Sequence, residues 1–123
     1  MSVPVQNIRD FETNAGISRQ VYRQSKHTVA NLNVLIVNCR SICNKSTELH
    51  TLVEEVDADI VLGTESWLTE EISSSEIFPP EFHVFRRDRV DRRGGGVFIA
   101  VRNSLVSCRA QEYETECEII WCS

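Results

Sequence analysis

Two nearly continuous apolar runs bracket one amphipathic stretch. The first holds Leu32, Val34, Leu35, Ile36 and Val37; the second holds Ile60, Val61 and Leu62. Short runs rich in β-branched residues suit strands buried on both faces. Between them Leu49, Leu52, Val53 and Val56 recur at i, i+3, i+4 and i+7, with Glu48, Glu54 and Glu55 off that stripe. This spacing predicts a helix over about residues 45–56, with Asn44 or Ser46 able to cap it. Strand, helix and strand make one βαβ unit, whose crossover is expected to be right-handed. Its two parallel strands end in Asn38 and in Glu65, which the unit brings side by side at one sheet edge. Open α/β sheets bind ligands at that edge.

The pattern is weaker elsewhere. Residues 1–30 are polar and aperiodic and read as a flexible amino-terminal arm, with residues 31–123 forming the domain proper. Residues 69–80 are rich in Ser and Glu, end in Pro79 and Pro80, and read as a loop. Residues 82–85 and 97–101 read as two strands of an antiparallel hairpin, joined by an arginine-rich turn and by Gly94, Gly95 and Gly96. Further strands are expected over residues 105–109 and 117–121. The fold class is therefore α/β.

Composition narrows the class without deciding it. With 123 residues the chain suits one domain, and 41% hydrophobic and 25% charged residues describe a folded rather than a disordered sequence. A net charge of -5 argues against binding polyanions over the whole surface but leaves room for a local basic patch. The first thirty residues contain no apolar run, and no stretch is long enough to span a bilayer. The expected location is nuclear or cytoplasmic, neither secreted nor in a membrane. Cys39, Cys43, Cys108, Cys117 and Cys122 lack a tight C-x2-C pair, so they read as reduced core or surface thiols rather than zinc ligands.

Each candidate for chemistry has a plainer reading beside it. Glu65 next to an amide is a start for a Mg²⁺ site, since Mg²⁺ often takes only one or two protein oxygens; it is equally a carboxylate at a strand end. Asn38 is an active-site amide or a turn former. Trp67 reads as packing over the strand end more readily than as a base-stacking surface. Arg86, Arg87 and Arg89, with Arg92 and Arg93 and against Asp88 and Asp91, either meet DNA phosphates or form a solvated hairpin turn. The three glycines read as a turn or bulge before a strand, since the lysine of a P-loop is lacking. His50 reads as a boundary residue of the helix.

Four segments in this order resemble the endonuclease/exonuclease/phosphatase superfamily, the DNase I-like fold, and most of all the endonuclease domains of LINE-type non-LTR retrotransposons. They are Asn38 with the following Arg40-Ser41 and Asn44-Lys45; Asp59-Ile60 with Thr64-Glu65-Ser66-Trp67-Leu68; Arg93-Gly94-Gly95-Gly96-Val97; and Glu118 with Trp121. The resemblance covers residues 31–123. It implies a partial four-layer α/β sandwich with a mixed sheet. It also implies Mg²⁺ as cofactor, with Glu65 as its ligand, and Asn38 as the amide that helps position water and phosphate. The substrate it implies is DNA, hydrolysed at a phosphodiester bond. The family's second half carries a Tyr/Arg strand segment, an Asp-x-Asn segment and a Ser-Asp-His segment, none of which occurs here. His27, His50 and His83 stand in no Asp-His context. The expectation is thus the first half of a nuclease domain, inactive alone, or a non-catalytic remnant that at most binds DNA or protein.

Overall fold

The computed structural model describes residues 5–12, 18–26 and 29–123, with side chains from residue 31 onward. In chain order the elements are β1 (Val5–Glu12), β2 (Ser18–Lys26), β3 (Val29–Asn38), α1 (Ser46–Val56), β4 (Ile60–Thr64), α2 (Ser74–Ile77), β5 (Phe82–Arg87) and β6 (Val97–Arg102). The strands form one sheet in the order β1-β2-β3-β4-β6-β5. Among the described residues only β3 and β4 pair in parallel, and the other neighbouring pairs are antiparallel. The result is a mixed α/β domain. Its central unit, β3-α1-β4, is the strand–helix–strand expected from the apolar pattern.

Burial follows that pattern closely. Leu49, Leu52, Val53 and Val56 of α1 are all buried against Leu35 and Val37 of β3, Val61 of β4, and Phe98 and Ala100 of β6. The strand registers explain which residues meet. Val37, Gly63 and Phe98 lie in one row across β3, β4 and β6. Gly63 is required there, because a Cβ at this position would sit 2.1 Å from the Phe98 ring. Phe98 in turn meets Phe78 edge to face, with ring centroids 4.7 Å apart. On the opposite sheet face Ile36, Leu62 and Ile99 share a row and are only half-buried.

Asn33 and Arg102 lock the helix end to the sheet. Asn33 Nδ2 donates to the carbonyls of Val56 and Asp57, while its backbone N–H donates to Asp59 Oδ2 at 2.8 Å. Arg102 bonds to the Ala58 carbonyl and pairs with Asp57 and Asp59. Asp57 itself takes the left-handed conformation (φ 51°) that closes the helix, and its N–H bonds to the Glu54 carbonyl.

Several expectations are corrected. The helix begins after Lys45, and neither Asn44 nor Ser46 is its N-cap. The loop at residues 69–80 contains α2, started by a capping box in which Ser73 and Glu76 satisfy each other's backbone N–H groups. The strands expected over residues 105–109 and 117–121 do not form. A single bridge joins Arg109 to Cys122, and a 3₁₀ turn occupies Gln111–Tyr113. The sheet edge at β5 offers residues 117–121 no ladder, so their apolar side chains stay largely outside: Ile119 is 41% and Trp121 49% exposed. The arm expected over residues 1–30 lies partly outside the described residues; where the backbone is described, at β1 and β2, it is strand that extends the sheet from β3. Among the described residues no helix is long and apolar enough to cross a membrane.

Candidate functional site

Three loops are laced together beyond the carboxyl ends of β3 and β4. Their backbones continue the ladder after the strands stop. The N–H groups of Cys39, Ser41 and Ile42 donate to the carbonyls of Thr64, Glu65 and Ser66, each at 2.9 Å. On the other side Ser66 and Trp67 donate to the carbonyls of Gly96 and Gly95. The segment carrying Glu65 is therefore held on both flanks by backbone alone.

This lacing imposes strain. Arg40 (φ 45°), Ser41 (φ 74°), Glu65 (φ 52°) and Trp67 (φ 57°) all lie in the left-handed region. Each such residue costs about 1–3 kcal/mol, and strain of this kind gathers at functional sites. Gly95 and Gly96 also have positive φ, which glycine adopts without strain, and both are closely approached by neighbouring side chains. A Cβ on Gly95 would meet the Arg89 guanidinium, and one on Gly96 would lie 2.5 Å from Ser66 Oγ.

The register places Asn38 opposite Thr64, one residue before Glu65, so the two strand ends do bring this amide and this carboxylate to one sheet edge. Asn38 is exposed there. Glu65 is half-buried and well defined: its Oε2 accepts the indole N–H of Trp67 at 2.8 Å and the backbone N–H of Gly95 at 3.3 Å. The Trp67 bond, then the Gly95 bond, hold the Glu65 pKa below the ordinary carboxylate value; the positive charge of Arg89 acts in the same direction. The carboxylate is thus kept ionised.

A second carboxylate joins the first. Glu118 accepts both Nε and Nη2 of Arg89, and its Oε2 also accepts the N–H of Gly96 at 3.1 Å. Its pKa is lowered by the Arg89 bond first, against the effect of burial. Two consecutive glycine amides therefore point at two different carboxylates. The glycines work as the turn expected of them, and their amides serve anions that belong to the protein. Glu118 entered the sequence reading only as part of the fourth resembling segment and not as a site residue; its pairing with Arg89, 29 residues away, is one that no local pattern reveals.

The arginine turn is not the open basic surface that its composition suggests. Arg86 donates to both oxygens of Asp88 and to the carbonyls of Thr69 (2.8 Å) and Ile72 (2.7 Å). Arg87 reaches the Ile119 carbonyl, and Arg89 is held by Glu118. The three arginines proposed for DNA each have a partner inside the chain. Arg92 and Arg93 remain exposed, and Arg93 lies over the Trp67 ring at 5.4 Å. His50 sits half-buried on α1 with Nε2 3.0 Å from the Ile77 carbonyl, away from this edge. Cys39 is fully buried beside the site, and burial pushes its thiol up to about 12, which makes it a core residue and not a nucleophile.

A single Glu65 carboxylate suits Mg²⁺ in donor type. Both of its bonds go to Oε2, which leaves Oε1 for a hard cation that keeps most of its water. Among the described residues no group of three or more His, Cys, Asp or Glu side chains is arranged to hold a metal ion. No family model, curated protein or solved structure matches the chain.

Proposed function

We propose that the chain carries the metal-holding part of a Mg²⁺-dependent phosphodiesterase site of the DNase I-like kind, with DNA as substrate, in the manner of the endonuclease domains of LINE-type retrotransposons. The observation that carries this reading is Glu65: an ionised carboxylate on a strained backbone at the end of β4, fixed by Trp67 and Gly95, with Asn38 at the end of the neighbouring parallel strand. A bound Mg²⁺ would supply charge to the phosphoryl oxygens and lower the pKa of a coordinated water. Glu65 would hold the ion through Oε1. The Asn38 amide, a donor and acceptor at once, would orient a phosphate oxygen or the attacking water. The half-buried apolar row Ile36, Leu62 and Ile99 on the outer sheet face supports a further layer, as a four-layer sandwich requires.

One observation favours a second reading, a non-catalytic module that binds DNA or protein. The bonds to Glu65 are all of the kind that stabilise a turn, and among the described residues neither His50 nor His83 lies at this edge to move a proton. Relaxation of supercoiled plasmid in Mg²⁺ separates the two. Nicking that Glu65→Gln abolishes supports the catalytic form. Mg²⁺ binding through Glu65 without nicking supports a site that needs more residues than these. Nicking that survives Glu65→Gln overturns the assignment.

A further inference from the structure

We propose that the cleft between Trp67 and the arginine turn is a phosphate subsite for a DNA strand, filled by a phosphodiester neighbouring the one at Glu65. This rests on the phosphodiester reading of the Glu65 edge. The cleft measures about 220 Å³ and is lined by Ser41, Cys43, Trp67, Thr69, Arg92 and Arg93, among others. That volume suits a phosphate and its sugar and is small for a larger ligand.

The cations make the case. Arg86, Arg89, Arg102 and Arg109 each pair with a carboxylate: Asp88, Glu118, Asp57 with Asp59, and Glu114. Among the described residues Arg92 and Arg93 hold no ion pair. The chain has 18 acidic residues against 13 basic ones, so partners are not scarce. Of the nearby acids, Asp91 on the same turn acts on Arg89, and Glu118 is taken by Arg89. Arg92 also acts on Glu118 through its charge, without an ion pair to it. Two guanidinium groups thus line one cleft with neither held in an ion pair among the described residues, which leaves their donors available to an anion.

Trp67 ties this cleft to the carboxylate. Its indole N–H fixes Glu65, and its ring face lies against Arg93. A guanidinium positioned by stacking keeps its five N–H donors free for a bidentate grip on phosphate. Gly94 (φ 89°) brings the turn close to the ring; a Cβ there would stand 3.6 Å from the indole nitrogen. One side chain therefore links the Glu65 carboxylate to the Arg93 cation, so a strand seated at Glu65 would run on toward this cleft.

The test is fluorescence anisotropy of an end-labelled single-stranded DNA 12-mer with the full chain in EDTA, over a range of NaCl. EDTA removes any contribution of Mg²⁺ at Glu65. The double variant Arg92→Ala/Arg93→Ala should bind at least about tenfold more weakly, and its log–log salt slope should fall by about 0.7, as loss of one phosphate contact to a single strand requires. Trp67→Ala should weaken binding, and Trp67→Phe, which keeps a ring under Arg93, should restore most of it. Both arginines are exposed, so the double variant should fold, and an unchanged melting curve would verify that. An unchanged affinity and slope in the double variant, or no measurable binding by the unsubstituted chain, would overturn the subsite. A reduced slope together with failure to bind Mg²⁺ would keep the subsite and remove the nuclease reading.

Discussion

Trp67 Nε1 donates to Glu65 Oε2 at 2.8 Å, although the two residues are separated by only Ser66 and both have left-handed backbones. The reversal of the chain at these two positions is what turns the side chains toward one another. Ser66 between them is fully buried. The contact therefore converts backbone strain at a strand end into a fixed, ionised carboxylate.

Trp67→Phe removes that donor and keeps a ring. The Glu65 pKa should rise toward its ordinary value of 4.5, since the largest cause of its lowering is lost. A carboxyl-carbon NMR titration of both proteins measures this. An unmoved Glu65 would show that Gly95 and Arg89 suffice.

Acid should loosen the site before the helix. Glu65, Glu114 and Glu118 all have folded pKa values below 4.5. A lowered folded value means stability that is fully present above the unfolded pKa and lost as pH falls through the folded one. Melting temperature should thus be level above about pH 5 and decline below 4.5, and Glu118→Gln should flatten part of that decline. A decline that begins well above pH 5 would contradict this.

Gly63→Ala should cost about 1–3 kcal/mol, the usual penalty of overpacking, because the new methyl meets the Phe98 ring. Phe98→Leu should recover part of the loss in the double variant. Additive losses in a denaturant cycle would contradict this packing.

Arg86→Ala should destabilise the fold by about 2 kcal/mol, as expected for a guanidinium that anchors two carbonyls and a carboxylate with little exposure. Amide exchange over residues 69–74 should quicken. DNA binding by the folded protein should change little. If binding falls and stability does not, Arg86 belongs to the DNA surface and not to the loop.

The central unit was legible because its signals are local. The stripe on α1 and the apolar runs of β3 and β4 each declare a period, and the parallel register then carries Asn38 and Glu65 to one edge. α2 had a signal too: Ser73 and Glu76 stand three apart before Ile77 and Phe78, as a capping box requires, but serine-rich composition suggests loop. What residues 117–121 do was not legible. Their β-branched and aromatic content favours a strand, yet Glu118 is drawn to Arg89 and Gly96, and this tertiary pull overrides propensity. The arginine turn misleads for the same reason, since composition counts charges and does not show which carboxylate each one meets.

The most direct test of the account is a thermal melt with and without millimolar Mg²⁺, for the unsubstituted chain and for Glu65→Gln. A ligand that binds only the folded state raises its melting temperature. The account predicts an upward shift for the unsubstituted chain and none for Glu65→Gln. The same shift in both proteins, or none in either, would contradict it.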